Sequence, residues 1–139
     1  MALSADAPRT YGTGVQPTFT SLPMTSNVTI YQGSAVGEST TAGTYRALVA
    51  GDTFAGFAHE GQVNASGGSS RVKVRTKGII RMAVTGASAV TQNGETVYAS
   101  ADDTLTLTST SNSSVGKVIQ WITSTTCDVY FEGAIVRSI

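Results

Sequence analysis

"RVKVRTKGIIRMAV", residues 71–84, decides how the rest of the chain is read. Its five basic residues, Arg71, Lys73, Arg75, Lys77 and Arg81, all fall at odd positions. Val72, Val74, Thr76, Gly78, Ile80, Met82 and Val84 fill the even ones. Side chains alternate between the two faces of an extended chain. The stretch therefore reads as one long strand with a core face, a positive face, and Gly78 as the place for a bend. Formal net charge is zero, yet this row holds five of the chain's nine Lys and Arg residues.

The flanking sequence favours the same class. Of 139 residues, 40% are apolar, which is enough for the core of one ordinary domain, and only 13% are charged, against about a quarter in typical domains. Ser, Thr and 15 Gly fill the difference. Around the long strand lie short alternating runs such as "NVTIYQG" and "TLTLT", punctuated by "NASGGSS", Asp102-Asp103 and "STSNSS". "GKVIQWITS" is apolar on both faces and reads as a central strand. In "TTCDVYFEG", Cys127, Val129 and Phe131 share a face, so the single cysteine reads as a small buried hydrophobe. One helical turn is expected near Ala87–Gln92, closed by Asn93-Gly94. Many short strands between Gly, Asn, Asp and Ser turns predict an all-β sandwich or small barrel.

All three prolines, Pro8, Pro17 and Pro23, fall in the first 23 residues. Proline removes a backbone donor and disfavours helix at the preceding residue. Residues 1–26 are accordingly expected to form an extended N-terminal arm, mobile in the free chain, with residues 27–139 as one β domain. Tyr11, Val15, Phe19, Leu22 and Met24 recur along the arm and could fill pockets on a partner. Near the other end, Ile135, Val136 and Ile139 are candidates for an oligomer contact. No apolar run approaches the ~18 residues of a membrane span, and "MALSADAPRT" lacks the features of a signal peptide. A soluble chain made in a cytoplasm is expected, with no membrane partner.

No catalytic constellation stands out. The sole histidine, His59, is followed by Glu60, and neighbours on a strand point to opposite faces. A hydrolase would need two carboxylates brought to His59 by the fold. Asp102-Asp103 reads as a solvent-exposed turn rather than a calcium site, since no third carboxylate lies nearby in sequence. No metal or cofactor is expected. Nucleic-acid binding by the basic row is disfavoured, because the row itself carries no aromatic residue for stacking and the chain is neutral overall. Two readings stay open: a solvated face that discourages edge pairing, or an interface with acidic groups. Glu95, Asp102, Asp103, Asp128 and Glu132 are the acids within the chain that could pair with the row.

Taken in order, "VTIYQGSAVG" (28–37), "YRALVAGDTFAGFA" (45–58), "VKVRTKGIIRMAV" (72–84), "NGETVYASADDTLTLT" (93–108), "VGKVIQW" (115–121) and "CDVYFEGAIV" (127–136) resemble the capsid cement, or head decoration, proteins of tailed phages. The most suggestive part is "GETVYASADDTLTLTSTSNSSVGKVIQ", residues 94–120, where a Gly-acidic-x-Val-Tyr strand precedes an acidic turn and a later Gly opens the next strand. The resemblance implies a small β-barrel or β-tulip, usually trimeric, on the outside of an icosahedral head. It implies a non-enzymatic virion protein that bridges subunits of the major capsid protein. It also favours the interface reading of the basic row. The alternative is a tail or fibre module that binds a host receptor or glycan.

Overall fold

Odd and even positions of the long strand separate without exception. In the computed structural model, which describes residues 3–12, 15–40 and 43–134, residues 71–85 form a single strand whose even positions are all buried and whose odd positions are all exposed or half-buried. In chain order the strands are β1 (Thr10–Tyr11), β2 (Thr18–Pro23), β3 (Val28–Ile30), β4 (Ala35–Glu38), β5 (Tyr45–Ala47) and β6 (Thr53–Ala58). Then come β7 (Gln62–Asn64), β8 (Arg71–Thr85), β9 (Thr96–Ala101), β10 (Thr104–Thr106), β11 (Ser113–Thr123) and β12 (Thr126–Glu132). The expected helical turn is a short 3-10 turn at Val90–Gln92.

The C-terminal half of β8 belongs to a closed five-stranded barrel. Its staves run β8, β12, β11, β9 and β10, and a parallel pairing of Leu105 with Val84 and Thr106 with Thr85 closes the ring. Closure leaves no open edge among these five strands. Ile80, Met82, Val84, Val97, Leu105, Val115, Cys127, Val129 and Phe131 fill the interior, as the alternation of each strand requires. Cys127 is fully buried there, and burial raises its thiol pKa.

The N-terminal half of β8 leaves the barrel and enters a second layer. It pairs with β2 from Thr18–Lys77 to Pro23–Arg71, and with β6 at Phe57–Arg75 and Ala58–Val74. Beyond β6 lie β4 and β5. A second core cluster of Leu22, Met24, Ile30, Val36, Tyr45, Ala55, Ala58, Val72 and Val74 fills this layer. β6 serves both cores, because its pairing with β4 shifts register between Val36 and Gly37. That shift lets Phe54 and Phe57 point into the barrel cluster while Ala55 and Ala58 join the second. Gly56 sits at the crossing with φ +145°, where an added Cβ would overlap the Arg75 carbonyl oxygen. Only glycine suits such a position.

The N-terminal segment is extended, as expected, but it does not stand apart from the domain. It runs antiparallel along β8, with Thr10 opposite Arg81, Tyr11 opposite Ile80, and β2 continuing down to Arg71. Gly12 donates its N–H to the Ile79 carbonyl at 2.9 Å, and Met24 donates to the Ser70 carbonyl at 3.1 Å. Leu22 and Met24 are core residues, 6% and 4% exposed. The expectation of a mobile arm is corrected here. Proline excludes a strand from donating on both sides, not from pairing on one. The fold places β2 against β8 alone.

Candidate functional site

The outward face of β8 was expected to be a bare row of cations. The structure clothes it. Tyr11 and Phe19 come from the N-terminal segment and lie against the row. The Arg75 guanidinium carbon sits 3.8 Å from the centroid of the Tyr11 ring and 5.0 Å from that of Phe19. Lys73 Nζ is 5.1 Å from the Phe19 centroid. Each such cation–π contact contributes about 0.5–2 kcal/mol, depending on how far it is desolvated. Phe19 also makes an edge-on contact with the His59 ring at 5.0 Å, while remaining 40% exposed. The expectation that the face lacks aromatic neighbours is therefore corrected: distant sequence supplies them.

The remaining cations have different environments. Arg71 donates from Nη2 to the Ser21 carbonyl at 2.8 Å. Arg81 donates through Nε and Nη2 to the two carboxylate oxygens of Asp128, at 2.8 and 3.2 Å. Arg81 and Asp128 stand opposite each other in the register of β8 and β12, and their side chains form a forked ion pair. Glu132 stands opposite Lys77 in that register and accepts a hydrogen bond from the Tyr130 hydroxyl at 2.9 Å. Burial first, and then this bond, raise the Tyr130 pKa.

Asp102 departs most from expectation. Far from lying in a solvent-exposed turn, it is 2% exposed. One of its oxygens accepts the Leu3 N–H at 3.1 Å, and the other accepts the Ser34 hydroxyl at 3.0 Å. Burial raises its pKa against the lowering pull of both bonds. Asn64 likewise escapes a local reading. Its side-chain N–H groups reach the Met24 and Thr25 carbonyls, and its side-chain oxygen accepts the Ser70 N–H. Both residues tie the N-terminal segment to the rest of the chain.

Of the other expected site residues, Val15 is half-buried, and Ile135, Val136 and Ile139 lie outside the described residues. β11 lies between β9 and β12, as a central strand should, and its Ile119 is 44% exposed. Trp121 is half-buried against the barrel core and donates Nε1–H to the Ser124 carbonyl at 2.8 Å. Among the described residues, no carboxylate forms an ion pair with His59, and no group of three His, Cys, Asp or Glu side chains could hold a metal ion.

A residue that sequence reasoning passed over joins the row. Arg9 shares a cleft of about 210 Å³ with Tyr11, His59 and Arg75. Its Nε donates to the Gly33 carbonyl at 3.0 Å. The Tyr11 hydroxyl has its pKa raised by burial, with Arg75 and Arg9 both pulling it down. The only sequence signal was a cation placed between Pro8 and Tyr11 in a segment with few charges. No protein-family model matches this chain, and a search of curated protein sequences gives no match either.

Proposed function

We propose that this chain is a non-enzymatic cement protein of a tailed-phage head, which binds the outer surface of the mature shell and stabilises the lattice of the major capsid protein. The observation that carries the reading is where the family likeness falls. Residues 94–120, its most suggestive part, supply β9, the Asp102-Asp103 turn, β10 and the first two-thirds of β11, which are staves of the barrel. The likeness thus falls mainly on strands that form the barrel.

The mechanism is mass action. A protein that binds the expanded lattice and not its precursor stabilises that lattice, and many symmetry-related copies multiply the effect. Recognition is assigned to the row on β8 together with Tyr11, Val15 and Phe19. Exposed cations there steer an acidic surface into place, and Phe19 supplies an apolar anchor. Leu22 and Met24 are excluded from that role, since the chain's own core holds them. The proposed oligomer is a trimer, with exposed Ile119 as a candidate contact. Quantitative mass spectrometry of purified particles tests the reading. A copy number near that of the major shell protein is expected, and a handful of copies per particle would replace it with a tail role.

A further inference from the structure

We infer that the cleft between the N-terminal segment and β8 is a carboxylate-binding site, which receives an Asp or Glu side chain of a partner protein. Arg9 and Arg75 both line it, and each has a guanidinium nitrogen without a hydrogen-bond partner. Arg9 Nη2 and Arg75 Nε are buried and make no hydrogen bond. A buried cationic N–H left unpaired forfeits its hydration without compensation. Buried polar groups left unmatched are rare in folded proteins, and each calls for an explanation such as a strained or functional role or a bound water or ion.

Both groups are held in place before any ligand arrives. Arg9 is fixed through Nε to the Gly33 carbonyl, and the Arg75 plane lies against the Tyr11 ring. Two oriented guanidinium forks suit a planar carboxylate with its two oxygens. Among the described residues, no carboxylate bonds to Arg9 Nη2 or Arg75 Nε. Asp6 accepts the Gln32 N–H, Asp52 is paired with Arg46, and Asp128 is paired with Arg81. A volume of about 210 Å³ admits a carboxylate and its short stem, and it is smaller than the pockets of roughly 300 Å³ and upward that enclose whole small molecules. His59 lines the cleft and touches the exposed Phe19 ring, so an apolar anchor stands beside the charged pocket. That pairing of a charged socket and an aromatic ledge fits a protein side chain and its neighbours better than a free inorganic ion. The site stands independently of the phage-head reading, since any acidic partner surface would serve.

The test is a titration of the ¹⁵N-labelled protein at low salt, following the Arg Nε–H signals. The probes are N-acetyl-glutamate α-amide, its glutamine counterpart, and inorganic phosphate. The glutamate compound is expected to shift the Arg9 and Arg75 signals and to saturate in the millimolar range. The glutamine compound should leave them unmoved, and phosphate should bind more weakly. Arg9→Lys keeps the charge but loses the fork, and should weaken the glutamate compound by roughly tenfold. Equal responses to glutamate and glutamine, no movement of the two Arg signals, or tighter binding of phosphate would each overturn the assignment. The wild-type titration decides the matter even if the variant fails to fold.

Discussion

Between Gly78 and Thr85, β8 is a stave of a closed barrel. β12 covers one side, β10 and β1 share the other, and the one cation that faces out, Arg81, is neutralised by Asp128 two-pronged across the strand pair. Between Arg71 and Lys77 the same strand, with the same alternation, lies in an open sheet between β2 and β6. There Lys73 and Arg75 meet aromatic rings, and Arg71 meets a serine. The barrel half is closed mainly by strands that follow it in the chain, with β1 added at Ile80 and Arg81. The other half is flanked by β2 along its whole length. The barrel half pairs its outward cation with a carboxylate, and the other keeps charge and an aromatic side chain at the surface.

The largest expected effect comes from the contact that joins the halves. Phe131 packs edge-on against Phe57 and Phe54, with centroids 4.9 and 6.3 Å away, and against Tyr11 at 6.3 Å. Phe131→Ala should cost about 3–5 kcal/mol in urea denaturation and weaken both halves together. If only the barrel half melted earlier, the two halves would be energetically separate.

Leu22→Ala should cost less, about 2–3 kcal/mol, because Leu22 belongs to the smaller cluster and is not fully enclosed. Its damage should also be local. Amide exchange is expected to quicken in β2 and the first half of β8, while β9, β11 and β12 stay protected. Uniform acceleration across all strands would erase the distinction.

A smaller effect concerns pH. The folded-state pKa of Asp102 is raised above its unfolded value, chiefly by burial. Its contribution to stability is therefore fully present below the ordinary carboxylate range and is lost as pH rises through the raised value. Asp102→Asn imitates the protonated form. The variant should gain on the parent as pH climbs from about 4 toward 7, as measured by melting temperature. A gap that stays constant over that range would show that the carboxylate is not penalised in the folded state.

The smallest effect is expected at Arg81, whose partner lies on the surface. Exposed ion pairs contribute little at physiological salt, so Arg81→Gln should leave the urea midpoint nearly unchanged. Arg75→Gln should shift it more, since it removes the cation held over Tyr11. The reverse order would mean that the barrel half, too, relies on its outward charge.

Most of the barrel was legible because strand alternation is local. Residues 71–85 and "TTCDVYFEG" each declare a core face within a few residues. What escaped was long-range. Asp102 and Asn64 look like turn residues, yet their side chains bond to backbone 99 and about 40 positions away. The three prolines suggested a free extended arm, whereas a strand with a partner on one side needs donors on only that side. The aromatic cover over Arg75 and the role of Arg9 follow from that same folding back. No pattern within β8 could have announced them.

Everything distinctive about the surface of this molecule requires the N-terminal segment to be docked on β8 before any partner arrives. Hydrogen exchange on the isolated protein measures this directly, at the amides of Gly12 and Met24, which donate to β8 and to the residue just before it. Both should exchange far more slowly than an unstructured chain, with protection approaching that of the neighbouring β8 amides. Exchange of these two amides at unstructured rates, beside a protected β8, would contradict the account and restore a free arm.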